Sequence, residues 1–529
     1  MKFDEFLFSH LGEMGRYQKV QFLLVTIPTM LCALHAFSWT FAAHNTPYRC
    51  ALPTETDSRT ANYWTTSKLI DENLEDCWNT KTKTKVNESD RGQPDVKCNY
   101  VKCSIGNDTC TGYVFDHSQM SLTAQEKWDI VCDRHYLKAV VQAGYYAGQM
   151  AGSIVFGILG DKIGRKKVFF IAIILQMIAG MMQSIVPVWW MYVIFRAATG
   201  FAHPGIFVIA VIIGMELVGP SYRKLAGVIS GIFYALGQVI LGGAAYYITD
   251  FQWLHVVISA PGVIFLTYWW LVPESARWLV SLQRWDEADK VLQKAAKMNG
   301  VTLPDKWWEQ LDQDQGAKKD GTTKKYSTMD LIATPKMRRR TLAVFFLWPV
   351  VSMIYYGFGM KPDVLGGDLY VSFIMGALIE MPALVIVYLL IDRIGRRPVL
   401  AGGFAIPGIV LLANIFLPEL NQWMSIAQLM IVKGSITAVY ASIYTFTPEI
   451  FPTVVRNTAM GYCSTIARVG AISASFISMW IVEKFGKIAM LIPFSVLALS
   501  ACLVTWFFLP RNDEQAFTGN DSRDRGNSR

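Results

Sequence analysis

Among the ionisable residues inside long apolar runs of this 529-residue chain, the four strongest functional candidates are Arg196, Glu380, Lys433 and Arg468. Burying an ionised side chain in a lipid bilayer is costly unless it faces water or a partner, so each is a functional candidate. A carboxylate at Glu380 can attract an amine, whereas Lys433 or Arg468 can bind a carboxylate. Both signs in one cavity suit a zwitterion or an amine-bearing metabolite. The alternative is that Glu380 only neutralises a buried basic residue.

Motifs for other kinds of chemistry are not found in the sequence. It has no GxxxxGKS or GxxxxGKT phosphate loop, which argues against an ATP-driven pump. It also has no HExxH motif, no nucleophile elbow and no His and Cys pairs at metal-binding spacing. We therefore expect neither an enzyme nor a protein that carries a cofactor or a metal ion.

Long helices must position the four charges within a membrane. The chain is 52% hydrophobic and only 17% charged, whereas soluble domains carry roughly 25% charged residues. Its apolar residues gather in runs of about 20, the length that crosses a bilayer. The sequence therefore predicts an all-α polytopic membrane protein with twelve transmembrane helices. Their expected positions are residues 20–42, 137–159, 168–186, 189–211, 225–248, 255–272, 341–360, 370–391, 398–417, 424–446, 458–482 and 487–509.

Six of the nine cysteines share one polar segment, residues 44–135, between the first and second apolar runs. An even, dense set in a polar segment indicates three disulfides in an oxidising compartment, with 15 possible pairings. A zinc site is the alternative. Two glycosylation sequons, at Asn87 and Asn107, also favour an extracellular segment. The six cysteines are Cys50, Cys77, Cys98, Cys103, Cys110 and Cys132.

Twelve spans place both termini on one side of the membrane, and an extracellular disulfide segment makes that side cytoplasmic. The basic connections at 162–167 and 393–397 agree, because cytoplasmic loops are enriched in Lys and Arg. The net charge of +8 thus reflects topology, and we expect no nucleic-acid partner. The predicted organisation is a cytoplasmic N-terminus (1–19), a six-helix half (20–272), a cytoplasmic loop (273–340), a second six-helix half (341–509) and a cytoplasmic tail (510–529).

The two halves carry the same motifs, which indicates an internal duplication. GDKIGRK at 160–166 returns as DRIGRR at 392–397. A glutamate seven residues before an arginine follows the fourth span and again the tenth, as Glu216 and Arg223, then Glu449 and Arg456. A duplicated six-helix unit is the plan of transporters that bind solute near the bilayer midplane, between the halves.

The acidic residues of the glycine motifs, Asp161 and Asp392, can pair with the neighbouring arginines and hold helix ends together. We expect these contacts to form in one access state and break in the other, which would make them latches. The alternative is that they serve only orientation and turn formation.

Several motifs together resemble the organic cation, organic anion and carnitine transporter family of the major facilitator superfamily. Besides the glycine motifs and the cysteine-bearing segment, they are EKWDIVC at 126–132, PESARWL at 273–279 and PEIFPTVVRN at 448–457. The resemblance covers nearly the whole chain. It implies the two-half major facilitator fold and a secondary carrier of small charged organic solutes in the plasma membrane. It leaves open the oligomeric state and whether Na⁺ or H⁺ is a coupling ion.

The resemblance also implies roles for individual residues. Cation-preferring members tend to be acidic where this chain has Arg468, whereas anion and carnitine carriers tend to have Arg; a Lys shared by some anion carriers is Leu384 here. Arg196 resembles a fourth-span arginine that serves structure or coupling. Residues expected to bind solute are Tyr234, Gln238, Tyr355, Tyr356, Glu380, Lys433, Tyr440, Tyr444 and Arg468. Residues expected to act in gating or coupling are Asp161, Arg165, Arg196, Glu216, Arg223, Glu274, Arg277, Asp392, Arg396, Glu449 and Arg456.

These observations predict a carrier that moves small organic cations or zwitterions across the bilayer by alternating access. An organic anion exchanger of the same fold is one alternative. A non-transporting membrane receptor is the alternative from another class.

Overall fold

A computed structural model describes most of the chain, and its described part is almost entirely helical. The described residues are 3–51, 63, 76–79, 96–99, 103–105, 108–110, 112–304, 306–311, 331, 334–417, 421–451 and 456–510. The predicted glycosylation sites Asn87 and Asn107 lie outside these ranges.

The α-helices are numbered here in chain order. They are α1 (Phe3–Leu11), α2 (Arg16–Thr26), α3 (Thr29–Ala42), α4 (Ala124–Lys127), α5 (Leu137–Ile163), α6 (Arg165–Ile185), α7 (Trp189–Leu217), α8 (Arg223–Tyr247), α9 (Phe251–Ser259), α10 (Tyr268–Leu271), α11 (Ala276–Ser281), α12 (Trp285–Asn299), α13 (Pro335–Met360), α14 (Leu369–Leu378), α15 (Glu380–Leu390), α16 (Arg396–Phe416), α17 (Gln422–Ile450), α18 (Arg456–Phe476), α19 (Val482–Phe485) and α20 (Ile488–Phe508).

Within the described residues, eleven helical segments are long and apolar enough to cross a bilayer, so the chain is a multi-pass membrane protein. They coincide with eleven of the twelve predicted spans, with ends shifted by a few residues. The segments are Arg16–Ala42, Arg165–Ile185, Trp189–Leu217, Arg223–Tyr247, Phe251–Leu271, Pro335–Met360, Leu369–Leu390, Arg396–Phe416, Gln422–Ile450, Thr458–Phe485 and Ile488–Phe508.

The remaining predicted span is α5, whose 27 residues reach about 40 Å. It is less apolar than the others because it contains several glycines and the buried polar residues Lys138, Gln142 and Gln149. α5 packs against α7 of its own half and α18 of the other half. Its polar side chains therefore contact protein, as Gln142 does by donating to the Ala36 carbonyl at 3.2 Å.

Two equivalent turns join helices at the end of the bundle that carries the repeated motifs. Gly164 lies between α5 and α6 with a φ of 104°, and Gly395 precedes α16 with a φ of 98°. Glycine is the residue that adopts such positive φ values at little cost. The tight turns that the motifs predict are thus present in both halves.

The two six-helix halves meet along α5 with α18, and along α8 with α14 and α15. In the first half, α5 and α7 lie so close that a Cβ at Gly148 or Gly152 would meet the carbonyl oxygens of Ala197 and Phe201. This four-residue glycine spacing is the pattern that lets helix backbones approach closely in membranes. The packing of the first half therefore depends on these two glycines.

The polar segment between α3 and α5 contains three antiparallel strand pairs. Residue pairing in one of them places Cys77 directly opposite Cys98. The pairs are β1 (Tyr48–Cys50) with β6 (Tyr113–Phe115), β2 (Asp76–Asn79) with β3 (Val96–Asn99), and β4 (Ser104–Ile105) with β5 (Asp108–Thr109).

Disulfides close this segment, as its cysteine content predicts. One joins Cys50 to Cys110, and another joins Cys103 to Cys132 immediately before α5. These two bonds reduce the 15 pairings that the sequence leaves open. Because the four cysteines are bonded to one another, they do not form the alternative zinc site. Because Cys50 follows α3 and Cys132 precedes α5, the bonds tie the segment to the helix ends on which it sits.

We predict that Gly152→Leu prevents stable packing of α5 on α7, because the new side chain has no space beside Phe201. The matched control is Gly157→Leu in the same helix, where a Cβ would meet nothing within 4 Å. Size-exclusion profiles of the detergent-solubilised proteins after heating should show a large loss of the monodisperse peak for Gly152→Leu alone. Equal thermal stability of the two variants would contradict the packing argument.

Candidate functional site

The centre of the interface between the halves holds a buried carboxylate. Glu380, 2% exposed, pairs through Oε1 with the Lys433 ammonium at 2.8 Å. Its Oε2 accepts hydrogen bonds from the Tyr355 hydroxyl at 2.9 Å and the Gln238 amide at 3.1 Å. Gln238 belongs to α8 in the first half, whereas the other three residues belong to the second half. The carboxylate thus joins the two halves.

A local irregularity of the helix lies beside Glu380. α14 ends at Leu378 and α15 begins at Glu380, although the two form one continuous span. Pro382 has no amide hydrogen and cannot donate to the carbonyl four residues earlier, which explains the irregularity. The carboxylate therefore lies at the first turn of α15, next to this irregularity.

Arg468 is the second charge of the site and is placed differently. It lies in α18, is 6% exposed, and donates to the Tyr356 hydroxyl at 3.3 Å. Among the described residues no carboxylate lies within ion-pair distance of its guanidinium. A buried cation without an anionic partner is costly, so this position favours a bound anion. Together with Lys433 and Glu380, the cluster has two basic residues and one acidic residue.

Aromatic rings surround these charges. The Lys433 ammonium lies 4.4 Å from the Tyr355 ring centroid, a cation–π contact. Tyr440 packs on Tyr355 at 5.3 Å and on Tyr444 at 5.6 Å, and Tyr444 is 39% exposed. Tyr234 completes the wall from α8, with its hydroxyl buried and without a hydrogen-bond partner among the described residues. All nine residues expected to bind solute therefore lie around one cluster, on α8, α13, α15, α17 and α18.

Arg196 lies outside this cluster, fully buried within the first half. It donates to the carbonyls of His35 at 2.7 Å and Ala36 at 3.2 Å. It also donates to the Ser38 hydroxyl at 2.8 Å and the Gln142 amide oxygen at 2.9 Å. These bonds join α3, α5 and α7, which favours the structural role over direct contact with solute.

The repeated motifs form ion pairs at one end of the bundle. In the first half, Arg165 pairs with Asp161 at 3.0 Å and with Glu216 at 3.6 Å. Glu274 accepts from the backbone amides of Arg165 at 2.9 Å and Lys166 at 3.1 Å. Glu274 thus satisfies amides at the start of α6, where a carboxylate is favourable.

The second half repeats this arrangement and adds a contact between the halves. Arg396 pairs with Asp392 at 3.0 Å and with Glu449 at 3.1 Å. Lys224, in α8 of the first half, reaches Asp392 at 2.8 Å. The hydrogen bond from Lys224 lowers the pKa of Asp392 below its ordinary value, so this carboxylate stays ionised at neutral pH.

The remaining residues expected to act in gating lie at the same end of the bundle. Arg223 begins α8, Arg277 lies in α11, and Arg456 begins α18. Their roles stay predictions.

Ion pairs also join the halves at the opposite end. Glu483 of the second half contacts His135 and lies 3.8 Å from the Lys138 ammonium, both of the first half. The halves are therefore in contact at both ends of the bundle, and the central cluster lies between these contacts.

Phe37, Lys224 and Glu483, with the two partners of Glu483, complete these contacts and were not predicted from the sequence. Phe37 touches the rings of Tyr355 and Tyr356 at 6.4 and 6.0 Å, but it lies in an apolar run where nothing distinguishes it. Lys224 directly follows the expected gating residue Arg223, and this adjacency was a usable signal. Glu483 and its partners are far apart in sequence and share no motif.

Comparison with known proteins places this geometry in a family. The family described as "Sugar (and other) transporter" matches residues 67–521. The organic cation transporter protein of Drosophila melanogaster is 36% identical to the chain over 487 residues, covering 90% of this chain and 87% of the relative. The human organic cation/carnitine transporter 2 is 29% identical over 515 residues, covering 95% and 90%.

Solved structures agree on the fold. The inward-open xylose transporter XylE from E. coli aligns with a TM-score of 0.62 at 15% identity, covering 94% of this chain and 97% of XylE. At that identity the likeness concerns architecture alone. The matched family and these relatives are transporters, so the receptor alternative loses to the transporter interpretation. The chain belongs to the organic cation, organic anion and carnitine transporter family of the major facilitator superfamily, as its motifs predict.

Proposed function

We propose that this transporter carries small organic cations and zwitterions bearing an amine, and that the central cluster is its solute site. The observation that carries the proposal is the combination of buried Glu380 with a buried Arg468 that lacks an anionic partner among the described residues. The relatives named as organic cation and carnitine transporters support the same solute class.

The proposed binding mode follows from the charges. A solute ammonium takes the place of the Lys433 ammonium at Glu380 and faces the Tyr355 ring, which tolerates many amine shapes. A solute carboxylate meets Arg468, whose planar guanidinium suits a carboxylate. Each end of a zwitterion thereby finds an opposite charge, whereas a simple cation uses Glu380 alone. The tyrosines fill the space between, without demanding one solute shape.

The proposed orientation places the disulfide segment outside the cell and both termini in the cytoplasm, in the plasma membrane. Disulfides persist in oxidising compartments, which supports an extracellular position for Cys50–Cys110 and Cys103–Cys132. The repeated-motif end is then cytoplasmic, and it carries the basic connections that favour that side. The organisation into two halves with a cytoplasmic loop at 273–340 belongs to the same proposal.

Transport then proceeds by alternating opening of the two ends. When the cytoplasmic end opens, the Lys224–Asp392 pair between the halves separates while the pairs within each half remain. When the extracellular end opens, Glu483 leaves His135 and Lys138. In this scheme the ion pairs between the halves are the latches. The ion pairs of Arg165 and of Arg396 within each half hold helix ends together.

Exchange of organic anions is a second candidate, and Arg468 is the observation that favours it. The cluster has one basic residue more than acidic residues, so an anion alone would also neutralise it. Glu380 argues against this candidate, because the anion would share the cavity with a carboxylate.

We predict that Arg468→Gln raises the KM for a zwitterion about 10- to 100-fold, because hydrogen bonds to a charged group contribute about 1.5–3 kcal/mol. The KM for an amine of the same skeleton without the carboxylate should stay unchanged or fall. Initial uptake rates into proteoliposomes measure both. Arg468→Lys is the matched control and should retain part of the zwitterion affinity. Equal loss for both solutes would contradict the proposed role of Arg468.

We also predict that linking position 224 to position 392 arrests transport. In a Lys224→Cys, Asp392→Cys double variant, a bifunctional methanethiosulfonate cross-linker about as long as the lysine side chain should abolish uptake into proteoliposomes, and a reductant should restore it. Each single variant treated identically controls for the lost charges and for the reagent itself. Full uptake by cross-linked protein would show that this end of the bundle does not open during transport.

A further inference from the structure

A polar cavity lies between the halves, at the end of the bundle from which the disulfide segment emerges. It encloses about 270 Å³, somewhat less than the cavities that hold drug-sized ligands and enough for the charged group of a small solute. Asn45 and Lys138 of the first half line it, together with Lys361, Asp363 and Glu483 of the second half. It is separate from the central cluster, and two of its lining residues, Lys138 and Glu483, also form the contact between the halves at this end.

Most charges of this cavity already have protein partners. Lys138, 2% exposed, donates to the side-chain oxygens of Asn45 and Gln125, both at 2.7 Å. Glu483 is shared between Lys138 and His135. Burial lowers the pKa of His44, which also lines the cavity, so that this imidazole is neutral at pH 7. These groups form a fixed wall that requires no solute.

Asp363 is only partly satisfied. Its Oδ2 lies 3.5 Å from the Lys361 ammonium, whereas its Oδ1 is buried and has no hydrogen-bond partner among the described residues. A buried carboxylate oxygen without a donor is unfavourable. The backbone holds it in place, because Asp363 lies in a short 3₁₀ turn, Pro362–Leu365, that ends at Gly366 with a φ of 102°. A donor entering the cavity would therefore meet this unpaired acceptor once the Asp363 side chain, which is 29% exposed, turns toward it.

The cavity is about one helical turn from the central cluster. Thr40 of α3 lines the cavity and donates to the Gly359 carbonyl at 3.3 Å. Phe37 lies three residues earlier on α3, about 4.5 Å along the helix, and contacts the rings of Tyr355 and Tyr356. The Phe37 ring thus stands between the cavity and the central charges.

We propose that this cavity is an outer solute subsite, in which Asp363 accepts a hydrogen bond from the ammonium of an amine before it passes to Glu380. This inference rests on the proposed function and adds a selection rule to it. Primary, secondary and tertiary ammonium groups carry an N–H that Oδ1 can accept. A quaternary ammonium carries none and gains only electrostatic attraction. The carboxylate of a zwitterion meets Lys361, which already lies beside Asp363.

Protection of an introduced cysteine tests this subsite without requiring transport. Leu369 lines the cavity and is partly exposed, so a Leu369→Cys variant should react with a membrane-impermeant thiol reagent in intact cells at 4 °C. A primary amine should slow this reaction, and its trimethylated analogue should need about tenfold higher concentration for the same protection. Asp363→Asn in the Leu369→Cys background should raise the half-protecting concentration of the primary amine about tenfold and that of the analogue by a smaller factor, because the amine loses a charge-assisted hydrogen bond as well as the electrostatic attraction.

The matched control is Asp368→Asn, which removes an acid from the same connection. Asp368 caps α14 by accepting from the Val371 amide at 3.0 Å, and asparagine can replace it in that role. Equal half-protecting amine concentrations in Asp363→Asn and Asp368→Asn would overturn the subsite. Uptake of the same amine by the wild-type chain reports separately on the proposed function, because protection can occur whether or not transport follows.

Discussion

The buried carboxylate of Glu380 constrains the centre of this transporter more than any other single group. An ionised carboxylate 2% exposed in a membrane-spanning bundle must be fully satisfied by its surroundings. Lys433 supplies the opposite charge, while Tyr355 and Gln238 supply hydrogen bonds. Because Gln238 comes from the first half, satisfying this one charge brings both halves to the same point. The irregularity that Pro382 causes in the eighth span lies directly before Glu380.

The position of this group also explains why it is suited to a solute that moves. Lys433 occupies the place that a solute ammonium would take, so binding exchanges one cation for another at Glu380 and leaves the Lys433 ammonium in need of an anion. Arg468 lies nearby with a tyrosine hydroxyl in place of an anion. A zwitterion, whose own charges cancel, therefore supplies a carboxylate to these basic residues without changing the net charge of the cluster. In the proposed mechanism, the ion pairs at the two ends, far from this centre, determine which side can open.

Much of the fold was predictable because its determinants are local in sequence. Runs of about 20 apolar residues fixed the spans to within a few residues, and the duplicated motifs located Gly164 and Gly395 at equivalent turns. The tyrosines and charges of the site were predictable through family resemblance and their positions inside spans. The partners were not, because Glu380 with Lys433 and Glu483 with His135 depend on how distant helices pack. Phe37 was not predicted for the same reason. The disulfide pairing was not predictable either, because it depends on where the strands and helix ends lie in the fold.

A structure determined with an amino-acid-like zwitterion bound would test the proposed solute site most directly. The solute ammonium should lie within hydrogen-bond distance of Glu380, the Lys433 ammonium should be displaced from that carboxylate, and the solute carboxylate should contact the Arg468 guanidinium. A structure in which Glu380 and Lys433 remain paired while the solute contacts neither Glu380 nor Arg468 would contradict this binding mode.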